Sequence, residues 1–190
     1  MKSPEGPDKM AVQRNRRLSR NSGSPRETRY LVSQVERLYL IKIYVDGDGC
    51  PVKNEIFRVA RRYGLKVYVV ANSRMTIPQE ELFELVIVNG QFDAADDWIV
   101  EHVNENDIAI SADIPLAARC LEKGVRMLHP KGRVFTREAI GDALANRALT
   151  AYLRDMGNIT GGPAPFKKQD RSRFLQRLDD EIQAALKATR

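Results

Sequence analysis

Apolar residues recur with two different spacings between residues 38 and 187, and the alternation between these spacings predicts the order of strands and helices. Short apolar runs rich in β-branched residues are typical of buried strands. These runs are 38–45, 65–72, 85–90, 107–111 and 125–128. Apolar residues three to four positions apart indicate helices that face a core. The predicted helices are 53–63, 78–83, 94–103, 115–123, 137–154 and 169–186.

Strands that alternate with helices indicate β-α-β crossovers, which are right-handed and place the strands parallel in one sheet. The predicted fold is therefore α/β. We expect a Rossmann-like three-layer sandwich whose mainly parallel sheet has four to five strands, followed by C-terminal helices. Residues 38–187 are assigned to this single domain.

Residues 1–37 have a different composition, rich in Ser, Pro, Asn and Arg and with little apolar periodicity. Such a segment cannot bury enough apolar surface to offset the entropy lost on ordering, so we predict a disordered basic tail. Most of the chain's net charge of +6 lies there. The charge is therefore not evidence that the folded domain binds nucleic acid.

Two cysteines and two histidines offer little material for thiol or imidazole chemistry. Cys50 and Cys120 are far apart and outside metal-binding spacings, so we expect neither a disulfide framework nor a zinc site, and we predict a cytoplasmic location. Cys50 has no histidine near it in sequence, and packing is its expected role. Without an 18-residue apolar run or a secretory leader, no membrane association is expected.

Acidic residues concentrate where the predicted strands end. Asp46 and Asp48 follow the first strand, and Asp113 follows the fourth. Asp93, Asp96 and Asp97 follow the third strand, and Asp93 and Asp97 are four residues apart, on one face of a helical turn. Parallel strands bring their carboxyl ends to the sheet edge where α/β folds place their sites. Because clustered carboxylates repel one another without a cation, we predict that these acids bind Mg²⁺, with any of Asp93, Asp96 and Asp97 as the contribution of the third group.

Helix capping is the alternative explanation for several of these residues. Asp93, Asp96 and Asp113 stand where helices begin, and Asp is a preferred N-cap residue. Asn72 and Ser111, also at strand ends, either bind substrate or a metal-bound water, or close turns through bonds to the backbone. Any one aspartate alone is better explained as a cap, whereas three groups at one edge favour a site.

Several motifs occur in a fixed order over residues 41–180. They are DGDGCPVK (46–53), VAN (70–72), DAADDWIVE (93–101), SADIPLA (111–117), TGGPAPF (160–166) and Asp170-Arg171. In these motifs the chain resembles the YaiI/YqxD family of bacterial proteins. That family usually reads DADACP where this chain has glycines at 47 and 49, and it often has Thr where Ser111 stands. The extra glycines are expected to loosen the loop that holds Asp48.

The YaiI/YqxD family is similar to PIN-like and NYN nuclease domains. The resemblance therefore implies a PIN-like domain that uses Mg²⁺ or Mn²⁺ to hydrolyse phosphodiester bonds, with RNA as the expected partner. Carried onto this chain, it implies that Asp46, Asp93, Asp97 and Asp113 bind the metal. The catalytic residues that it implies are Asp46, Asp48, Asp97 and Asp113. The candidate substrate-binding residues are Asn72, Ser111, Lys53, Gly161 and Gly162. The two glycines allow close approach to a ligand, although a tight connection between helices needs them equally.

Two other functions fit parts of the sequence. In haloacid-dehalogenase-like phosphatases a strand is also followed by DxDG, which would make Asp46 the nucleophile and Asp48 the general acid/base. The motif order fails, because Asp96 and Asp97 precede Ser111 instead of following it. A non-catalytic RNA-binding module would use basic residues of the last two helices, which fit solvated helix faces equally well. The sequence makes no prediction of the oligomeric state.

Overall fold

The computed structural model describes residues 41–89, 93–157 and 164–189. The predicted tail and the glycine pair Gly161 and Gly162 lie outside the described residues. The strands are β1 (Lys42–Asp46), β2 (Lys66–Ala71), β3 (Phe83–Ile87), β4 (Ile108–Ile110), β5 (Arg126–Leu128) and β6 (Val134–Phe135). The helices are α1 (Lys53–Tyr63), α2 (Ala94–His102), α3 (Ile114–Glu122), α4 (Arg137–Asp155) and α5 (Lys168–Ala188).

All six strands belong to one sheet with the order β3-β2-β1-β4-β5-β6. The first five strands are parallel, and β6 runs antiparallel to β5. Along the sequence, β2 and β3 are added on one side of β1. The chain then crosses to the other side of β1, where it forms β4. This reversal opens a crevice at the carboxyl ends of β1 and β4. The α/β, Rossmann-like prediction is confirmed.

Helices cover both faces of the sheet, as alternation along β1 requires. Ile43 and Val45 point into a core shared with α1 and α5, where Phe174 is fully buried. Tyr44, between them in sequence, points to the opposite core, which contains Ile99 of α2 and residues of α3. Successive side chains of a strand face opposite sides, so a strand buried on both faces must be apolar throughout.

Two local predictions differ from the structure. The helix predicted at 78–83 is wrong, because these residues form a turn that enters β3. The Leu82 carbonyl already accepts a hydrogen bond from Val67 of β2, at 2.8 Å, and the Phe83 N–H donates to Glu80 at 3.0 Å. A six-residue helix recovers too few hydrogen bonds to offset its nucleation cost. The two-residue strand β6 was not predicted, since so short a run has no measurable periodicity.

Helix α4 is unusual among the helices, because it contacts α3 but none of its residues is buried. Leu149 and Tyr152 on this helix are more than half exposed. Within the described part of the chain, each helix is too short or too polar to cross a lipid bilayer.

Candidate active site

A buried serine joins the ends of β1 and β4. Val45 pairs with Ile110 across these strands, so the next residue on each, Asp46 and Ser111, lie side by side. The Ser111 hydroxyl donates a hydrogen bond to Oδ2 of Asp46 at 2.9 Å and accepts one from the Asp113 N–H, also at 2.9 Å. One side chain therefore connects the carboxylate of Asp46 to the backbone of Asp113 at the reversal of strand order.

Asp113 caps helix α3. Its Oδ1 accepts a hydrogen bond from the Leu116 N–H at 2.9 Å, which confirms the capping interpretation for this residue. Its Oδ2 lies 3.6 Å from a guanidinium nitrogen of Arg147 on α4. Capping thus fixes the carboxylate and leaves its second oxygen facing a cationic side chain.

The loop after β1 is held by Asn72 and Lys53, two of the predicted substrate-binding residues. Asn72 donates two hydrogen bonds to Oδ2 of Asp48, one from its backbone N–H at 2.9 Å and one from Nδ2 at 3.0 Å. The Lys53 ammonium donates to the carbonyl of Gly47 at 2.7 Å. In this structure Asn72 and Lys53 therefore position the loop and its aspartate.

Gly47 packs tightly against β2. Its N–H donates to the Val70 carbonyl at 2.7 Å. A Cβ at this position would lie 2.8 Å from Cγ1 of Val69 and 3.0 Å from that same carbonyl oxygen, whereas one at Gly49 would meet open space. The expectation that glycine loosens the loop therefore does not hold at position 47, where glycine allows a close approach.

The three aspartates around the start of α2 occupy different surroundings. Asp93 is the N-cap residue, exposed and in the left-handed region with φ of 77°, and its side chain makes no capping bond. Asp97 is 58% exposed and lies 2.7 Å from a guanidinium nitrogen of Arg119. The structure places Asp97 in this surface ion pair, and its role as a metal ligand stays a prediction.

Asp96 is the member of this group that interacts with the acids of the sheet edge. Its pKa is raised to about 6, first by burial and then by repulsion from Asp113, Asp46 and Asp93. The sequence left open which of Asp93, Asp96 and Asp97 reaches the metal, while four-residue spacing and the family resemblance favoured Asp93 and Asp97. The signal that identifies it is its position three residues before the buried Ile99, which places it on the inward face of α2.

The charge of the cluster also affects Asp46. Its pKa is raised by burial and by the nearby carboxylates of Asp48 and Asp113, while the Ser111 hydrogen bond opposes the shift. Burial and neighbouring negative charge both disfavour ionisation of a carboxyl group. A cation bound here would favour the ionised form of Asp46 and so lower its pKa.

Cys50 has no chemical role in this arrangement. The side chain is buried, and burial raises the pKa of its thiol to about 11. The thiol is therefore protonated near neutral pH and is not a nucleophile.

The carboxylates fit a hydrated ion better than a closed protein cage. No three His, Cys, Asp or Glu side chains are arranged to hold one metal ion in the part of the chain that the structure describes. Mg²⁺ usually keeps several waters and binds through one or two carboxylates. The oxygen-only donors and the mutual repulsion of Asp46, Asp96 and Asp113 suit such an ion.

Known sequences match most of this chain. Residues 44–184 match the family described as "uncharacterized BCR, YaiI/YqxD family". A UPF0178 protein of Rhodospirillum centenum is 54% identical over 149 residues, which cover 76% of this chain and 97% of that protein. A UPF0178 protein of Paramagnetospirillum magneticum is 51% identical over 146 residues, covering 77% of this chain and 97% of its own length. A UPF0178 protein of Brucella ovis is 54% identical over 140 residues, covering 73% and 87%.

No solved structure was found to match the chain. The family model begins within β1 and includes β2 to β6, all three acidic groups and most of α5. The extent of this match and the high identity to the UPF0178 proteins show that the chain belongs to the YaiI/YqxD family.

Proposed function

We propose that this protein is a nuclease that hydrolyses phosphodiester bonds of RNA with the help of a Mg²⁺ or Mn²⁺ ion at the carboxyl edge of its sheet. The observation that carries the proposal is the junction of Asp46 and Asp113 through Ser111, at the point where strand order reverses. Ligand sites of open α/β sheets lie at such points. The repulsion between these acids and Asp96 supports a cationic ligand.

Asp46 and the Oδ2 atom of Asp113 are the groups that would hold the ion directly, and Asp96 would act on it through its bound water. Asp93 and Asp97, which were also predicted as ligands, would contribute to cation binding from the exposed start of helix α2. When bound, the ion supplies charge to polarise a phosphoryl oxygen and lowers the pKa of bound water.

The protein's own groups would position the reactants. Ser111 keeps the Asp46 carboxylate in place by its hydrogen bond. Both Asn72 bonds end on Oδ2 of Asp48, so they leave Oδ1 to accept a hydrogen bond from a water molecule. Asp48 would thereby orient the attacking water, and preorganisation of this kind lowers the barrier without adding new bonds.

Titration of Mn²⁺ by calorimetry tests the cation site. Wild type is expected to bind saturably, and Asp46→Asn to bind at least about tenfold more weakly. Asp96→Asn and Asp97→Asn, measured side by side, decide which aspartate of α2 contributes, because they are neighbours in sequence but differ in surroundings. Saturable binding that Asp46→Asn leaves unchanged would show that this site is misassigned.

The reaction itself is tested with two substrates. A labelled single-stranded oligoribonucleotide should be shortened in the presence of Mn²⁺, and p-nitrophenyl phosphate should stay intact. Release of p-nitrophenol without RNA cleavage would favour the phosphatase alternative. Binding of the oligonucleotide with no product from either substrate would favour the non-catalytic RNA-binding module.

A further inference from the structure

A single arginine from α4 reaches the acidic cluster. A guanidinium nitrogen of Arg147 lies 3.6 Å from Oδ2 of Asp113, and the two side chains are 55% and 32% exposed. This separation exceeds hydrogen-bonding distance, and among the described residues Arg147 donates no hydrogen bond. An exposed ion pair of this kind contributes little to stability, so separating it costs little.

Arg119 provides the contrast within the same site. Its guanidinium donates a hydrogen bond to Oδ1 of Asp97 at 2.7 Å. Arg147 instead stands on a helix that buries none of its residues, so packing does not fix its side chain. Of these two arginines, Arg147 is the one whose five N–H donors are available to another partner.

The charge around the site makes such a partner necessary. The cluster holds six aspartates: Asp46, Asp48, Asp93, Asp96, Asp97 and Asp113. Among the described residues, Arg119 and Arg147 form ion pairs with these aspartates, and Lys53 donates to the Gly47 carbonyl in the same loop. A phosphate group would be repelled unless it met both a bound cation and a nearby guanidinium, which binds phosphate through paired hydrogen bonds.

We propose that Arg147 binds a phosphate group of the nucleic-acid substrate and leaves Asp113 as that phosphate and a cation enter the site. This inference rests on the proposed function, because it assumes a phosphodiester at the same sheet edge. In the free protein, Arg147 acts as the counter-ion of Asp113. In the complex, the cation takes over that role and the guanidinium turns to the phosphate.

The matched control is Arg154, which stands seven residues later on α4, is exposed, and has no described ion pair. Binding of a fluorescein-labelled 12-residue oligouridylate is measured by anisotropy at several salt concentrations, with Ca²⁺ as the divalent ion. Arg147→Gln should bind about tenfold more weakly than wild type. The slope of log affinity against log salt should fall by about 0.7, as expected for one lost contact to a single strand. Arg154→Gln should stay close to wild type.

Mn²⁺ affinity should change in the opposite direction. Arg147→Gln removes a cation that competes for Asp113, so Mn²⁺ is expected to bind about two- to fivefold more tightly. If Arg147 had only a structural role, Arg147→Gln would weaken the binding of both Mn²⁺ and the oligonucleotide. Arg147→Lys, which keeps the charge but not the planar fork, should recover part of the oligonucleotide affinity.

Several results would overturn the assignment. If Arg147→Gln and Arg154→Gln lose the same amount of oligonucleotide affinity, the contact is with a diffuse basic surface. If Arg147→Gln binds the oligonucleotide as tightly as wild type, the phosphate contact is excluded, even if wild type cleaves RNA. Competition by AMP as strong as by the unlabelled oligonucleotide would overturn the assignment to a polymer. Weakened binding by Arg147→Gln, together with no cleavage by wild type, would support the phosphate contact and count against the nuclease function alone.

Discussion

Replacing Asp96 by asparagine removes one charge from the acidic cluster while keeping the shape of the side chain. Burial, followed by the charges of Asp113, Asp46 and Asp93, raises the pKa of Asp96 from 3.8 to about 6. At about 1.4 kcal/mol for each pKa unit, this difference corresponds to about 3 kcal/mol. Because the side chain is only partly buried, solvent screening reduces the expected cost to about 1–1.5 kcal/mol.

The sign of the effect follows from proton binding. Between pH 4 and 6 the folded state holds a proton on Asp96 that the unfolded state has largely lost, so the free energy of unfolding decreases as the pH rises through this range. Below about pH 4 both states are protonated and the penalty disappears. Asp96→Asn should therefore be about 1–1.5 kcal/mol more stable than wild type at pH 8, and the gain should decline toward zero near pH 4.

Urea unfolding at pH 4, 6 and 8 in EDTA, followed by far-UV circular dichroism, measures this difference. Asp97→Asn is the control, because that carboxylate is exposed and paired with Arg119. It should lose at most about 0.5 kcal/mol at pH 8. Millimolar Mn²⁺ should reduce the advantage of Asp96→Asn, since an ion that binds wild type stabilises it. Equal stability of Asp96→Asn and wild type at pH 8, or a gain that persists at pH 4, would refute the reasoning.

Two further substitutions test the packing around the site. Gly47→Ala should cost about 1–2 kcal/mol in thermal unfolding, because its Cβ would meet Val69 at 2.8 Å, whereas Gly49→Ala should change stability by about 0.5 kcal/mol or less. Equal effects at the two glycines would contradict this. Arg171→Ala should cost about 2–3 kcal/mol in urea unfolding, because it leaves the 6%-exposed Glu55 carboxylate without its 2.8 Å partner. Adding Glu55→Gln should recover most of that loss, and no recovery would show that the charge is not the cause.

Sequence patterns located the acids, but they did not select among them. Asp46 and Asp113 were predicted at the ends of the first and fourth strands, and these strands, β1 and β4, are neighbours in the sheet. At the start of α2, helical spacing paired Asp93 with Asp97 and left Asp96 as an alternative. That rule assumes helical geometry at both residues, and Asp93 has a positive φ, so it does not belong to the regular turn.

The interactions that hold the site join residues distant in sequence. Ser111 and Asp46 are 65 positions apart, and Asn72 is 24 positions from Asp48. A motif can indicate that such residues belong to one site, as the family resemblance did. It cannot say which atoms meet, because hydrogen bonds depend on strand register and side-chain direction.

The sequence by itself determined the α/β class, the order of its principal strands and helices, and the strand ends at which acids stand. These properties depend on local periodicity, which the chain carries in any conformation. Tertiary structure alone decided that β1 lies between β2 and β4, that Ser111 bonds to Asp46, and that Arg147 reaches Asp113. Those relations depend on how separate elements pack. The burial of a side chain and the distance between two charges are set only when packing has brought the elements together.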